Sequence, residues 1–364
     1  MKVALVHDYL NQAGGAERVV GALHRLFPDA PIYTSIAVPA VVDTLLEGAD
    51  VRTSWMQRLP GLKRHYRKYF LLYPHAIESF DLSEYDLVVS NSTAYAKGAI
   101  IRSGACHVCY CHSPMRFAWN FAGYAAREAW GPLTRRVLPP LISHVKRWDV
   151  ATIDRVSYYI GNSSAVAARI TRHYGRQAAV VHPPVEVERL APSPIDEDYH
   201  LVVSRLVAYK RVDLVVEAFN RLKRPLVVIG DGSARSRLER MAGSTVRFLG
   251  RLPDAEVAEY YARCRAVVFP GEEDFGIVPL EANAAGRPVI AYAAGGALDT
   301  VIEGCTGVFF RSQDAESLAN AVQACGAIEW DKAKLRRHAE GFREEAFRER
   351  FMEAVQTALA RQEV

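Results

Sequence analysis

Short apolar runs recur along this chain. Each is closed by a polar or glycine-rich stretch, and most lead into a segment of helical periodicity. The runs at 2–7, 31–35, 51–54, 85–90, 106–112, 157–161 and 178–182 fill the first half, and those at 201–204, 225–229, 245–249, 266–269, 289–293 and 307–310 the second. Several are near-continuous, without the alternation of a half-exposed sheet, which predicts strands covered on both faces, as in parallel sheets. Helices are predicted over 16–26, 163–174, 212–222, 314–326 and 331–339. A last one over 344–361 carries Phe347, Phe351 and Val355 on one face. Alternating strands and helices define an α/β protein of two parallel-sheet halves. The Pro/Ser-rich stretch at 191–199 reads as the linker, giving domains of 1–190 and 200–343.

One segment organises the rest. Residues 266–296 read as strand, acidic loop, short helix, strand and Gly-Gly turn. Pro279 suits a first helical turn and Gly286-Arg287-Pro288 stops the helix. This puts a helix N-terminus at a strand end, with backbone N–H groups around Gly276, Ile277 and Val278 available to an anion. Glu273 precedes that terminus and Glu281 lies inside the helix, with seven residues between them.

Composition bounds the rest. At 364 residues with 50% hydrophobic and 24% charged positions, the chain has the balance of a globular protein large enough for two cores. No run approaches the ~18 apolar residues of a membrane span, and Met1-Lys2-Val3 leads into a strand without a signal-peptide pattern. The expectation is a cytoplasmic protein. Six cysteines in this length do not form a disulfide framework. Residues 1–190 carry 22 Lys and Arg against 15 Asp and Glu. That basic bias is too scattered for a nucleic-acid interface but suits an anionic partner. Two stretches mix aromatic and basic residues. The first, 55–80, holds Trp55, Tyr66, Tyr69, Phe70 and Tyr73 among Arg58, Lys63, Arg64, Arg67 and Lys68. The second, 117–148, holds Phe117, Trp119, Trp130 and Trp148 among Arg135, Arg136, Lys146 and Arg147. Such segments either lie on an anionic membrane or pack their rings inward and solvate their charges.

In chain order, Gly14-Gly15-Ala16-Glu17 joins the first strand to a helix, as phosphate loops do. The same spacing also serves a tight packing turn. Asn91-Ser92-Thr93 ends a strand where α/β sheets present ligand contacts. Cys106-His107-Val108-Cys109-Tyr110-Cys111-His112 invites a metal reading, but alternate residues of a strand face opposite ways and no second Cys/His pair appears, so no metal site is assigned. His112 ends its strand in the same crevice as the glycine loop. Asp196-Glu197-Asp198 sits in the connector and reads as solvated. Arg205 and Lys210 make a cationic loop after the strand at 201–204, and Gly230-Asp231-Gly232 is a strand-to-helix turn. Cations and helix N–H groups suit a diphosphate, and carboxylates accept hydrogen bonds from vicinal hydroxyls. An anion bearing sugars at both ends is a nucleotide sugar.

These residues carry a resemblance. Glu273-Asp-Phe-Gly-Ile-Val-Pro-Leu-Glu281 resembles the E-x7-E motif of family-4 retaining glycosyltransferases. Ser204-Arg205-Leu206…Lys210 resembles that family's Gly-Arg-Leu…Lys loop, with Ser in place of Gly. Phe248-Leu249-Gly250-Arg251-Leu252 is similar to its base-binding turn, Gly14 to Glu17 to its first loop, and Asn162-Ser163-Ser164 to a helix start near the end of its first domain. The resemblance implies the GT-B fold, two facing Rossmann-like domains with a terminal helix (about 344–364) returning to the first. It implies no cofactor and a nucleotide-sugar substrate. Arg205 and Lys210 would neutralise the departing diphosphate, helped by N–H groups near Gly14, Gly15 and Gly276 to Val278. Glu281 would hold ribose, Glu273 the donor hexose, His112 the sugar near the reacting carbon, and Leu252 and Phe275 would complete the donor site. Asn11, Ser92, Lys97 and Arg116 fall on the acceptor side. Tyr110-Cys111-His112-Ser113-Pro114-Met115-Arg116 looks most like bacterial mannosyltransferases of surface-polysaccharide assembly, which use GDP-mannose and often a polyprenyl-linked acceptor. That would place the protein peripherally on the inner face of the plasma membrane. A UDP-sugar donor, an epimerase-like reaction and a non-catalytic nucleotide-sugar module stay open.

Overall fold

Burial of the continuous apolar runs dictates the architecture. In the computed structural model, which describes residues 1–120 and 132–362 without the side chains of 63, 64 and 132–135, the chain divides into two units. One comprises Met1–Pro183 with Phe347–Val364, the other Pro184–Ala346.

Among the described residues, the first unit builds a seven-stranded sheet. Its strands are β1 (Val3–His7), β2 (Ile32–Thr34), β3 (Val51–Thr53), β4 (Leu87–Ser92), β5 (Cys106–Cys111), β6 (Tyr158–Gly161) and β7 (Ala178–Val180). All pair in parallel, in the order β3-β2-β1-β4-β5-β6-β7. β4 and β5 are buried along their whole length, which is why they read as apolar runs with no exposed face. The strand order reverses between β1 and β4, so the crevice for ligands opens at their C-terminal ends. His7 pairs with Asn91 across that point.

The second unit holds a six-stranded parallel sheet of β8 (His200–Val203), β9 (Leu226–Ile229), β10 (Val246–Gly250), β11 (Ala266–Phe269), β12 (Val289–Tyr292) and β13 (Gly307–Phe310). Its order is β10-β9-β8-β11-β12-β13, which reverses between β8 and β11. The helix Val212–Leu222 shows how the layers hold. Val212, Leu214, Val215, Val216, Ala218 and Phe219 are buried against the sheet, and full burial of a side chain such as Phe219 contributes about 2–3 kcal/mol.

The helix Glu344–Ala360 buries Phe347, Phe351, Ala354, Val355 and Ala358 in the same apolar cluster as Leu5, Val89 and Tyr110 of the first unit. Tyr110 meets Phe347 edge-on at 5.8 Å. The helix Pro132–Ala151 contains Pro139 and Pro140, which is why its periodicity does not announce a helix. Residues 191–199 lie inside the second unit, and their acids are paired. Asp196 binds Arg287 at 2.6 Å and Lys332 at 2.8 Å, Glu197 binds Arg263 at 3.3 Å, and Asp198 binds Arg265 at 2.5 Å.

Candidate active site

Two loops at the ends of β8 and β11 make the polar centre of the second unit. After β8, residues 204–206 run against the turn that follows β9. A Cβ on Gly230 would lie 1.9 Å from the Ser204 carbonyl oxygen, and one on Gly232 2.3 Å from that of Leu206. Leu206 N donates to the Asp231 carbonyl at 2.9 Å. The two glycines thus let backbone meet backbone beneath Arg205, whose exposed guanidinium donates to the Tyr209 hydroxyl at 2.9 Å. A single 3-10 turn, Ala208–Lys210, follows. Arg211 closes it at φ 53°, a left-handed conformation costing a non-glycine residue about 1–2 kcal/mol. Its guanidinium donates to Gln313 Oε1 at 2.9 Å.

The Lys210 ammonium is in a direct ion pair with the Glu273 carboxylate, and both side chains are mostly covered. The loop after β11 comes close because Gly271 has no side chain; a Cβ there would sit 3.2 Å from the Lys210 Cα. Gly296 N donates to the Glu273 carbonyl at 2.9 Å. Cβ atoms on Gly295 and Gly296 would come within 2.2 Å of the Glu273 and 2.1 Å of the Phe275 carbonyl oxygens. The Gly-Gly turn therefore clamps residues 273–275. Gly276, at φ 85°, starts the helix Ile277–Ala284, which has no side-chain cap. The first-turn N–H groups of Ile277 and Val278 lack intrahelical acceptors, and Pro279 has none to satisfy.

Glu281 is held at both oxygens. Arg189 Nη2 donates to Oε1 at 2.5 Å and the Tyr261 hydroxyl to Oε2 at 2.9 Å. Burial, with Glu281 beside it, lifts Tyr261 far above the usual phenol range, so it stays a donor. Burial opposes the Arg189 charge, but Glu281, Asp254 and Glu186 together outweigh it and raise the guanidinium. Leu252, Ile277 and Val278 pack together on the apolar cluster around Phe275.

In the first unit, Asp8 directly follows β1 and is fully buried. Its Oδ2 accepts from Thr93 N (2.5 Å), Thr93 Oγ1 (2.6 Å) and Ala94 N (2.9 Å), and its Oδ1 from Tyr95 N (2.7 Å) and Ala96 N (2.5 Å). One carboxylate thus shapes the whole turn after β4. Asn91 Nδ2 donates to the Ala16 carbonyl at 2.9 Å, which orients the amide so that Oδ1 accepts from His112 Nε2 at 2.7 Å. That sets the His112 tautomer and leaves the lone pair on Nδ1, 3.5 Å from Asn162 Nδ2. Asn11 lines a cavity of about 320 Å³ with Ile36, Val38, Gln57, Leu59 and Leu62. Arg116 begins the short helix Arg116–Trp119 and is exposed.

Comparison with known proteins gives the family of the chain. Residues 13–189 match the family Glycosyltransferase Family 4, and residues 189–340 match Glycosyl transferases group 1. The chain belongs to the family-4 glycosyltransferases. A GDP-mannose-dependent alpha-(1-6)-phosphatidylinositol monomannoside mannosyltransferase of Mycolicibacterium smegmatis is 29% identical over 56% of this chain and 65% of its own length. A D-inositol 3-phosphate glycosyltransferase of Geodermatophilus obscurus is 32% identical over 53% of the chain and 50% of its own length. The chain thus spans between half and two thirds of these relatives. Among solved structures, the Anabaena protein HepE in complex with UDP aligns with a TM-score of 0.71 and 18% identity over 98% of this chain and 100% of its own. Sucrose-phosphate synthase from Thermosynechococcus elongatus aligns with a TM-score of 0.71 and 19% identity over 99% and 100%. The fold is α/β GT-B.

Several expected positions take other roles. Lys97 is 1% exposed. Its ammonium donates to the Asp149 carbonyl at 2.6 Å and Thr152 Oγ1 at 2.7 Å, and pairs with the Asp149 carboxylate at 3.1 Å, so it does not face an acceptor. Ser92 is 2% exposed and its Oγ accepts from Lys97 N at 3.4 Å. At Gly14 the helix N-terminus is served from within. Glu17 folds back, accepts from the Gly14 backbone, and is buried, which raises its carboxyl while a nearby His7 and the Gln12 amide oppose the rise. The family's first loop here carries its own anion.

The rings of 55–80 turn inward because the segment breaks into short helical pieces over the core. Tyr66 meets Tyr9 at 5.6 Å, Tyr73 stacks on Tyr95 at 4.9 Å, and Phe70 meets Phe117 at 6.4 Å. Trp55 stays 43% exposed. Trp119 donates to Asp149 Oδ2 and Trp148 to Glu78 Oε1. Trp130 and the side chains of Lys63, Arg64 and Arg135 lie outside the described residues. Sequence reasoning missed Asp8, Arg189, Asp254 and Tyr261. Asp8 had a signal, an acid ending a buried strand; the other three had none until folding brought Arg189 and Tyr261 to Glu281 and Asp254 to Arg189.

Proposed function

We propose that the protein is a retaining hexosyltransferase that moves mannose from GDP-mannose to a glycan or polyprenyl-linked acceptor in cell-surface polysaccharide synthesis. The observation that carries the donor side is the Lys210–Glu273 pair beside the uncapped helix Ile277–Ala284. A cation, an acid and outward N–H groups converge as an anionic diphosphate attached to a hydroxyl-rich ring requires. As the bond from the sugar's anomeric carbon to the diphosphate lengthens, negative charge grows on the leaving oxygen. Arg205 and Lys210 stabilise it, and the first-turn N–H groups share the load. Glu273 accepts from hexose hydroxyls and Glu281 from ribose hydroxyls. From the first unit, His112 is assigned to the transferred sugar. In the front-face route, the departing phosphate takes the acceptor's proton as the new bond forms on the same side. No metal or cofactor is assigned to this step. The mannose assignment draws on the sequence at 110–116 and on the name of the Mycolicibacterium relative.

Peripheral membrane association belongs to the same proposal. No helix among the described residues is long and apolar enough to cross a membrane. Arg67 and Lys68 are exposed, as is Trp55. Neutralising Lys63, Arg64, Arg67 and Lys68 should weaken salt-sensitive binding to anionic liposomes, and equal binding by that variant removes the patch from the proposal.

The test of the donor is a thermal-shift panel of GDP, UDP and ADP, followed by transfer from radiolabelled GDP-mannose and UDP-glucose. The UDP-sugar arm is included because HepE was also solved with UDP-glucose. GDP should stabilise most, and Lys210→Ala should abolish transfer without unfolding the protein. Near-normal turnover by Lys210→Ala defeats the diphosphate assignment, and isomerised donor without acceptor would indicate an epimerase-like reaction.

A further inference from the structure

Arg189 lies outside every motif that carries the family resemblance, yet one guanidinium reaches three carboxylates. Nη2 meets Glu281 Oε1 at 2.5 Å, Nη1 meets Asp254 Oδ2 at 2.9 Å, and Nε lies 3.6 Å from Glu186 Oε2. Glu281 belongs to the helix Ile277–Ala284, while Asp254 starts the helix Asp254–Arg263 directly after the 251–253 turn. Arg189 therefore ties together the two elements that, in the reading above, meet the ribose and the base. Tyr261, fully buried, holds the other Glu281 oxygen.

This grip has chemical consequences. A glutamate with three rotatable bonds would otherwise sample several rotamers. Arg189 and Tyr261 each take one of the roughly four acceptor positions of the carboxylate, leaving each oxygen with capacity for a hydroxyl. A planar guanidinium fixes carboxylate orientation better than an ammonium does. It also offsets the negative charge of Glu281, which would otherwise repel an incoming diphosphate.

We propose that Arg189 is a positioning residue for nucleotide recognition, holding Glu281 so that its two oxygens receive the two vicinal ribose hydroxyls of the donor. The proposal rests on the assignment of Glu281 to ribose. A purely structural clip would weaken all nucleotides alike when removed; a positioning residue changes the ratio between ribose and deoxyribose ligands.

The experiment measures, by calorimetry on the full chain, the affinity for GDP against 2′,3′-dideoxy-GDP, with the UDP pair in parallel. The variants are Arg189→Met and Arg189→Lys, and melting temperatures are read on the same samples. The wild type should prefer the ribose form by about tenfold or more, about 1.4 kcal/mol. Arg189→Met should reduce that preference to within about twofold, and Arg189→Lys should fall between. If Arg189→Met does not fold, Arg189→Lys carries the test. A folded variant that keeps the full preference overturns the proposal. A wild type that transfers sugar but shows no hydroxyl preference also overturns it and leaves the transferase reading standing. A wild type that binds neither nucleotide series and transfers nothing defeats the donor site itself.

Discussion

A diphosphate that takes Lys210 as proposed must do so against the Lys210–Glu273 pair, and the size of that opposition can be worked out. The two side chains are 14% and 22% exposed, so solvent screening is limited. Opposite charges near contact gain about 4 kcal/mol at an effective dielectric of 20, and desolvation cancels much of it. On that basis about 1–2 kcal/mol opposes transfer of Lys210 from Glu273 to a diphosphate. Glu273→Gln removes the opposition, and free GDP or UDP should bind about tenfold tighter. The same change replaces charge-assisted hydrogen bonds to hexose hydroxyls with neutral ones, a loss of about 1–1.5 kcal/mol. The nucleotide sugar therefore gains on one end and loses on the other, and its affinity stays within about threefold. Calorimetry with nucleotide and nucleotide sugar on wild type and Glu273→Gln reads both. If the two ligands shift together by the same factor, or free nucleotide is unaffected, Glu273 neither competes for Lys210 nor reads the sugar.

Three other outcomes follow from features already described. Lys97→Met leaves the buried Asp149 carboxylate without its cation and should cost about 3–5 kcal/mol in urea denaturation; a stable variant with only a raised acceptor KM would return Lys97 to the acceptor site. Gly296→Ala drives a methyl into the Phe275 backbone and should lower transfer at least about tenfold, whereas Gly326→Ala, with only Arg224 at 3.8 Å, should stay within about 1 kcal/mol of wild type in a thermal melt. Burial pushes His107 and His200 from 6.5 down to about 4. These imidazoles are neutral when folded, so stability is full above pH 6.5 and is lost as pH falls toward 4, by about 3 kcal/mol for each. Urea midpoints that stay flat from pH 7 to 4.5 would refute the buried neutral state.

Strands buried on both faces were legible because parallel sheets demand continuous apolar runs, and the 266–269 and 307–310 runs fall where β11 and β13 begin and end. The loop and helix start after β11 were legible because glycine, proline and acids sit at fixed offsets there. What escaped was set by distant partners. Lys97 looked like a loop cation because nothing local announces Asp149, 52 positions away. The ring-rich stretch at 55–80 gave no sign that Tyr9 and Tyr95 would receive its side chains. Arg189 has one relevant neighbour at Glu186 and two more 65 and 92 positions on, so only the fold could reveal its role.

The helix Glu344–Ala360 has a consequence for how the protein is made. Residues 184–346 emerge from the ribosome as one uninterrupted stretch and hold all that their own core requires. The half that is translated first cannot complete one of its apolar clusters until then, because Phe347, Phe351 and Val355, which pack with Tyr110 and Leu5, are added only after that stretch is complete. The usual order, in which N-terminal domains fold first during synthesis, therefore cannot run to completion for that cluster. Until that helix is made, the apolar residues it covers in the first unit, Leu5, Val89 and Tyr110 among them, lack those partners.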